Sequence, residues 1–292
     1  MNGAASTRCF FCSDLHGRRD RYAKLFRAID RERPTGVFLG GDLLPGLSAG
    51  AQGDAEAEQD FVADFLAAEL EGLRGRLGGG YPRVFVILGN DDYRAVEPGL
   101  QEVEARGLWS YAHGRRLQFA GFDVYGYSFI PPSPFLLKDW ERYDVSRYVD
   151  PGCVSPEEGR RSVAIEPREA KFETIQQDLE RMAADTDLSR AIFLFHTPPY
   201  RTKLDRAALD GRMVDHVPLD VHVGSIAVRR FIEARQPWLT LHGHVHESAR
   251  LTGSWQDRIE RTLMLSGAHD GPELALVRFD LERPEGARRD LI

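Results

Sequence analysis

The sequence predicts an α/β fold in two successive halves, and three observations carry that reading. Short apolar runs of strand length alternate with stretches of helical period. The apolar runs are continuous rather than alternating with polar residues, as expected of strands buried on both faces. The chain has 292 residues, 42% hydrophobic and 28% charged, which excludes disordered, collagen-like and coiled-coil classes and provides enough length for a real core.

Taken in order, Cys9-Phe10-Phe11-Cys12, Val37-Phe38-Leu39 and Val84-Phe85-Val86-Ile87-Leu88 read as strands. Between them Tyr22, Leu25, Phe26 and Ile29 recur at helical spacing, and Phe61, Phe65, Leu66, Leu70, Leu73 and Leu77 mark a second helix. The first third is therefore βαβαβ. From Leu117 to Tyr127 the pattern changes around a central glycine, which predicts a hairpin and an antiparallel edge. Residues 128–167 hold six of the sixteen prolines and no clear period, so they are expected to form an inserted surface segment or lid within one domain spanning 1–292. Helical spacing returns at Phe172, Ile175, Leu179 and Met182. It is followed by the strand Ala191 to Phe195, a helix around Val228, Phe231 and Ile232, and strands at Trp238 to Leu241, Thr262 to Leu265 and Leu274 to Phe279. A Gly/Ala-rich tract from Pro45 to Ala57 reads as a loop.

The net charge of −7 argues against a surface built on the phosphate backbone of nucleic acid. No run of 18 apolar residues suggests a membrane span, and residues 1–8 lack the apolar stretch of a signal peptide, so a cytoplasmic protein with no membrane partner is expected. Cys9 and Cys12, three apart in a strand, should point to opposite faces and serve core packing rather than zinc or redox chemistry.

The chemistry lies at the strand ends. The first strand runs into Asp14-Leu15-His16, where alternation along an extended chain is expected to put both side chains on one side. The second runs into Gly41-Asp42, the third into Gly89-Asn90-Asp91-Asp92, the fourth into His196 and the fifth into Gly243-His244-Val245-His246. In an α/β sheet the crevice beyond the carboxyl ends of the strands binds ligands, so these groups should converge. Asp14, His16, Asp42, Asn90, His196, His244 and His246 offer two carboxylates, an amide oxygen and four imidazoles, a donor set suited to Mn, Fe, Zn, Co or Ni rather than Ca. Seven donors exceed one tetrahedral ion and fit two divalent ions sharing a carboxylate, the arrangement used in phosphoester cleavage.

This order of D-x-H, G-D, G-N, a strand-end His and G-H-x-H resembles the calcineurin-like metallophosphoesterase superfamily over nearly the whole chain. The stretches His196-Thr197-Pro198-Pro199-Tyr200, His222-Val223-Gly224-Ser225 and Gly243 to Glu247 are further similar to a prokaryotic branch of small phosphoesterases. The resemblance implies two facing mixed β-sheets flanked by helices, a four-layer α/β sandwich. It implies one ion on Asp14, His16, Asp42 and His246 and another on Asp42, Asn90, His196 and His244, with Asp42 bridging. It also implies that a hydroxide between the ions attacks phosphorus in line.

One residue departs from the family pattern. Asp91 stands where the family usually has a His that contacts phosphate and protonates the leaving group, and an ionised carboxylate does neither. Three accounts stay open: a protonated Asp91, another acid, or a leaving group that needs none. The charge of Asp91 favours a phosphodiester of nucleotide type over a monoester dianion. The catalytic candidates are Asp91, Asn90 and His196. Arg201 and His222 are candidate phosphate contacts, with a solvated loop residue as the plain alternative for each. Asp92 is expected either to orient a ligand or to face water, and Trp140, Tyr143 and Tyr148 either to stack on a substrate ring or to pack on their own domain. A phosphomonoesterase, a nuclease and a non-catalytic scaffold of the same fold remain the rival readings.

Overall fold

The computed structural model describes residues 7–46 and 60–292, so the Gly/Ala-rich tract lies outside the described residues beyond Gly46. The first half comprises β1 (Arg8–Cys12), α1 (Arg19–Glu32), β2 (Gly36–Gly40), a π-helical turn Phe61–Leu66 running into α2 (Ala67–Leu77), β3 (Arg83–Ile87), α3 (Glu97–Ala105) and β4 (Ser110–Tyr111). A hairpin of β5 (Arg116–Phe119) and β6 (Phe122–Tyr127) leads through the proline-rich insert to α4 (Pro167–Phe172), α5 (Ile175–Ala183) and β7 (Ala191–Phe195). The chain continues with a small ribbon, β8 (Met213–Val214) and β9 (Val217–Pro218), then α6 (Ile226–Arg235), β10 (Leu239–His242) and α7 (Ser248–Thr252). It ends with β11 (Gln256–Ile259), β12 (Thr262–Ser266), β13 (Ala275–Asp280) and β14 (Arg283–Leu291).

Two six-stranded sheets result, in the orders β14-β13-β1-β2-β3-β4 and β11-β12-β10-β7-β6-β5. Strands β1 to β4, and β6, β7, β10 and β12, pair in parallel, while β13 and β14 extend the first sheet and β5 and β11 flank the second in antiparallel pairing. Strand alternation sorts the core into layers. Cys9, Phe11, Phe38 and Phe85 meet Val124, Ile192, Leu194 and Leu241 between the sheets. Phe10, Cys12, Val37 and Leu39 face α1 and α2, while Phe193 and Phe195 face α5 and α6. This is the four-layer sandwich, and it explains why Cys9 and Cys12 are free, buried and on opposite faces.

Several elements depart from expectation. Phe172 does not share a helix with Ile175: Thr174 caps α5 through a capping box with Gln177, which ends α4 at an exposed Phe172. The insert is not only surface. Trp140 and Lys138 are fully buried, Trp140 packs on His113 and Phe129, and Tyr143 is buried while Tyr148 is exposed. Asp144 fastens the insert to the second half by accepting the Ser225 hydroxyl and the first amides of α6, Ile226 at 2.6 Å and Ala227 at 3.1 Å. No helix of the described residues is long and apolar enough to cross a membrane.

Candidate metal centre

The carboxyl ends of β1, β2, β3, β7 and β10 meet at one edge of the sandwich. The loops there are tied by their main chains: Asp14 N–H donates to Gly41 O and His16 N–H to Asp42 O, both at 2.9 Å, and Gly243 N–H to His196 O at 2.9 Å. The turn geometry is unusual, since Asp14, His16, Asp42 and His244 all have left-handed φ, between 47° and 73°. Asp14 and His16 therefore converge through sharply turned backbone rather than through strand alternation. His244 and His246 divide between two clusters, as the family resemblance implies.

Asp14, His16, Asp42 and His246 place one donor atom each within 4.8 Å of one another, and Asp42, His196 and His244 do the same. Asp42 belongs to both. Asn90 completes the second cluster, its Oδ1 lying 3.1 Å from His196 Nε2.

The donor set fits cations on observations of this arrangement. His196 Nδ1 donates to Gly40 O at 2.8 Å, so its Nε2 turns a lone pair toward Asn90 Oδ1 and toward Asp42 Oδ2, at 3.3 Å. A lone pair facing two acceptors requires a proton or a metal between them. His16 Nε2 and His246 Nε2 also face each other at 3.2 Å. Glycine makes the room: a Cβ on Gly41, whose φ is +90°, would lie 2.6 Å from His196 Nδ1.

The electrostatics point the same way. Burial opposes charge on His196, yet the Asp42 carboxylate more than offsets it and raises the imidazole to about 9. His16 likewise reaches about 9 against its burial, through Asp91, Asp42 and Asp14. Burial would raise Asp42, but His196 and His16 bring it down to about 2. His246 holds Asp14 well below the carboxylate range despite its burial. Burial, with His196 alongside, lowers His244 to about 3, so it stays a neutral ligand. What raises these imidazoles is the negative field of the gathered carboxylates, the same field a divalent cation would neutralise on replacing the protons.

Of the other expected residues, Asp91 sits beside the cluster, with Oδ2 3.2 Å from His16 Nδ1 and its N–H donating to Asp42 Oδ1 at 2.8 Å. Asp92 is fully buried and touches main chain instead of water, accepting from Leu43 at 2.9 Å and from Leu44 and Gly89 at 2.8 Å. It thereby joins the Asp42 and Asn90 loops. Burial and then the charge of Asp42 raise it to about 7. His222 faces the site cavity, with its Nδ1 2.8 Å from Asp205. Sequence reasoning missed Asp205, which is fully buried and also accepts the amides of Arg201 and Thr202, because no spacing links it to His222. Arg201 is not brought to the cavity wall: those same bonds turn the chain, leaving its guanidinium exposed over the Tyr200 ring at 5.2 Å.

The cavity has a volume of about 820 Å³. His16, Asp42, Asn90, Asp91, His244 and His246 form one end, and segments within 131–153 and 200–226 form the walls. His196 lies beneath it, fully buried.

Comparison with known proteins agrees with this geometry. A calcineurin-like phosphoesterase family model matches residues 7–248. No curated protein matches the sequence. Among solved structures, TT1561 of Thermus thermophilus is similar with a TM-score of 0.57 and 15% identity, over 98% of this chain and 99% of that one. The phosphopantetheinyl hydrolase PptH from Mycobacterium tuberculosis is similar with a TM-score of 0.52 and 13% identity, over 91% and 90%. At these identities the likeness is one of fold.

Proposed function

The chain belongs to the calcineurin-like phosphoesterase family, and from that premise we propose that it hydrolyses a small phosphoester, with phosphodiesters preferred, at a pair of divalent ions. The observation that carries this reading is the meeting of two donor clusters that share Asp42 at the end of a substrate-sized cavity. Ions bound there supply Lewis-acid neutralisation of the phosphoryl charge and acidify a water, and Mn, Fe, Zn, Co and Ni suit the mixed donors.

The chain's own residues do the positioning. Gly40 O fixes the His196 tautomer, and Asp92 holds the Asp42 and Asn90 loops at their separation. His196 is a ligand rather than a proton carrier, since it is buried with both ring nitrogens engaged. Asn90 contributes an amide oxygen to the same cluster. His222, steadied by Asp205, is the phosphate contact facing the cavity. Asp91 brings negative charge to the cavity wall and so repels a monoester dianion more than a diester monoanion. In the reaction water adds to phosphorus, the P–O bond to the leaving group breaks, and that oxygen takes up a proton. The three free cysteines accord with a reducing cytoplasm.

The test is metal analysis of purified protein together with hydrolysis of aryl phosphodiester and monoester probes after Mn loading. Two ions per chain, chelator-sensitive turnover and a diester preference are expected, and Asp91→Asn should lower the diester-to-monoester ratio by about tenfold. A well-folded chain that retains no divalent ion would overturn the reading.

A further inference from the structure

We propose that the substrate carries an aliphatic chain on its phosphate, seated along the cavity wall that leads away from the metal donors. This rests on the phosphoesterase reading above and names the substrate class for the same site. A phosphoryl group on the donor clusters occupies a small part of about 820 Å³. The remaining wall includes Phe135, Leu137, Val145 and Tyr148 of the insert, with Val214 and Leu219 from the 200–226 segment.

Two features of this wall point to hydrocarbon. First, large apolar side chains of this wall are left in water: Phe135 is 56% exposed and Tyr148 67%. A chain tethered to the phosphoryl site would cover such surface without any new binding element. Second, Arg212 is the only Lys or Arg among the described lining residues, whereas the carboxylates Asp144, Asp150, Asp220 and Glu247 line the cavity away from the metal donors. The wall therefore has no set of cations for a second phosphate, and its apolar side chains are what is left to hold the rest of the ester.

The test uses p-nitrophenyl phosphodiesters whose other ester group is methyl, butyl or octyl, with the Mn-loaded enzyme below micelle-forming concentration. In each, water oxygen bonds to phosphorus, the bond to p-nitrophenolate breaks, and the released proton goes to solvent; the alkyl phosphate is the second product. Burying a methylene favours binding by about fourfold, so kcat/KM should rise at least a hundredfold from methyl to octyl, mainly through KM. Phe135→Ser, at an exposed position, and Leu219→Asp should each collapse the octyl-to-methyl ratio. A flat series with the methyl ester still hydrolysed overturns the chain site and leaves the phosphoesterase reading intact. A thymidine ester turned over faster than the octyl ester overturns it in favour of a nucleoside. If no ester is hydrolysed, the phosphoesterase reading fails, and calorimetry with octyl- and methylphosphonate then decides the chain site: equal affinities sink it, while tighter octyl binding supports it.

Discussion

Four of the residues that converge at the metal centre sit in left-handed backbone, at an expected cost of roughly 1–3 kcal/mol each for a side chain larger than glycine. That strain persists because neighbouring loops fix the turns through main-chain bonds and through the buried Asp92 carboxylate. The tightest point is Gly89, where an added Cβ would lie 2.3 Å from Asp42 Oδ1 and 2.5 Å from Asp42 N. Asp92 clamps both loops, so neither can retreat. Gly89→Ala should therefore lose bound metal and about 1–3 kcal/mol of stability. Gly75→Ala, in α2 with open space around the new carbon, should keep its metal and be stabilised by roughly 0.5–1 kcal/mol. Metal content and chemical denaturation of the two variants check this directly.

Among the elements, the insert is held by a fully buried ion pair, Lys138 Nζ to Glu141 Oε2 at 2.5 Å, with Ser133 N–H donating to Glu141 at 2.8 Å. Burial raises Glu141 to about 7 even though Lys138 opposes the rise. Removing one partner strands the other, so Glu141→Leu should cost about 3–5 kcal/mol, while the double variant Lys138→Met with Glu141→Leu should recover much of that loss. Equal unfolding midpoints for the single and double variants would contradict this. None of it was legible in the sequence, because proline-rich chain without a period gives no signal of what it buries. The parallel inner strands were legible for the opposite reason: buried on both faces, they show unbroken apolar runs. Strands β11 and β14 escaped notice as polar edges, Arg283–Leu291 carrying charges along most of its length. The seven candidate donors could be read from their places at strand ends, whereas the left-handed turns that aim Asp14 and His16, and the Asp205 support of His222, depend on contacts between distant segments.

At the scale of the whole molecule, a half-buried histidine packed among aromatic rings couples stability to acidity. His113 lies among Tyr111, Tyr127, Phe129 and Trp140, and its Nδ1 accepts the Ser128 amide at 3.1 Å. Burial, helped by Arg94 and Arg142, lowers it to about 3. Between that value and about 6.5 the unfolded chain binds a proton there and the folded chain does not, so stability falls as pH falls through this window. His113→Gln, which keeps an acceptor for Ser128, should gain on the natural protein by up to about 1.4 kcal/mol per pH unit as pH drops below 6.5. Urea midpoints for both proteins from pH 7 to 5 measure the difference, and parallel decline would show that the imidazole is not held neutral.

Both donor clusters draw on both sheets, with Asp14, His16 and Asp42 following β1 and β2 and His196, His244 and His246 following β7 and β10. Between them lies the aromatic and aliphatic layer in which Phe11, Phe38 and Phe85 of one sheet pack against Val124, Ile192 and Leu194 of the other. That dry layer works as a caliper for the centre at its rim. A change of one methyl group deep inside it would alter the span between the opposing candidate ligands, so drift in residues that never meet solvent would bear on which ions the proposed centre accepts.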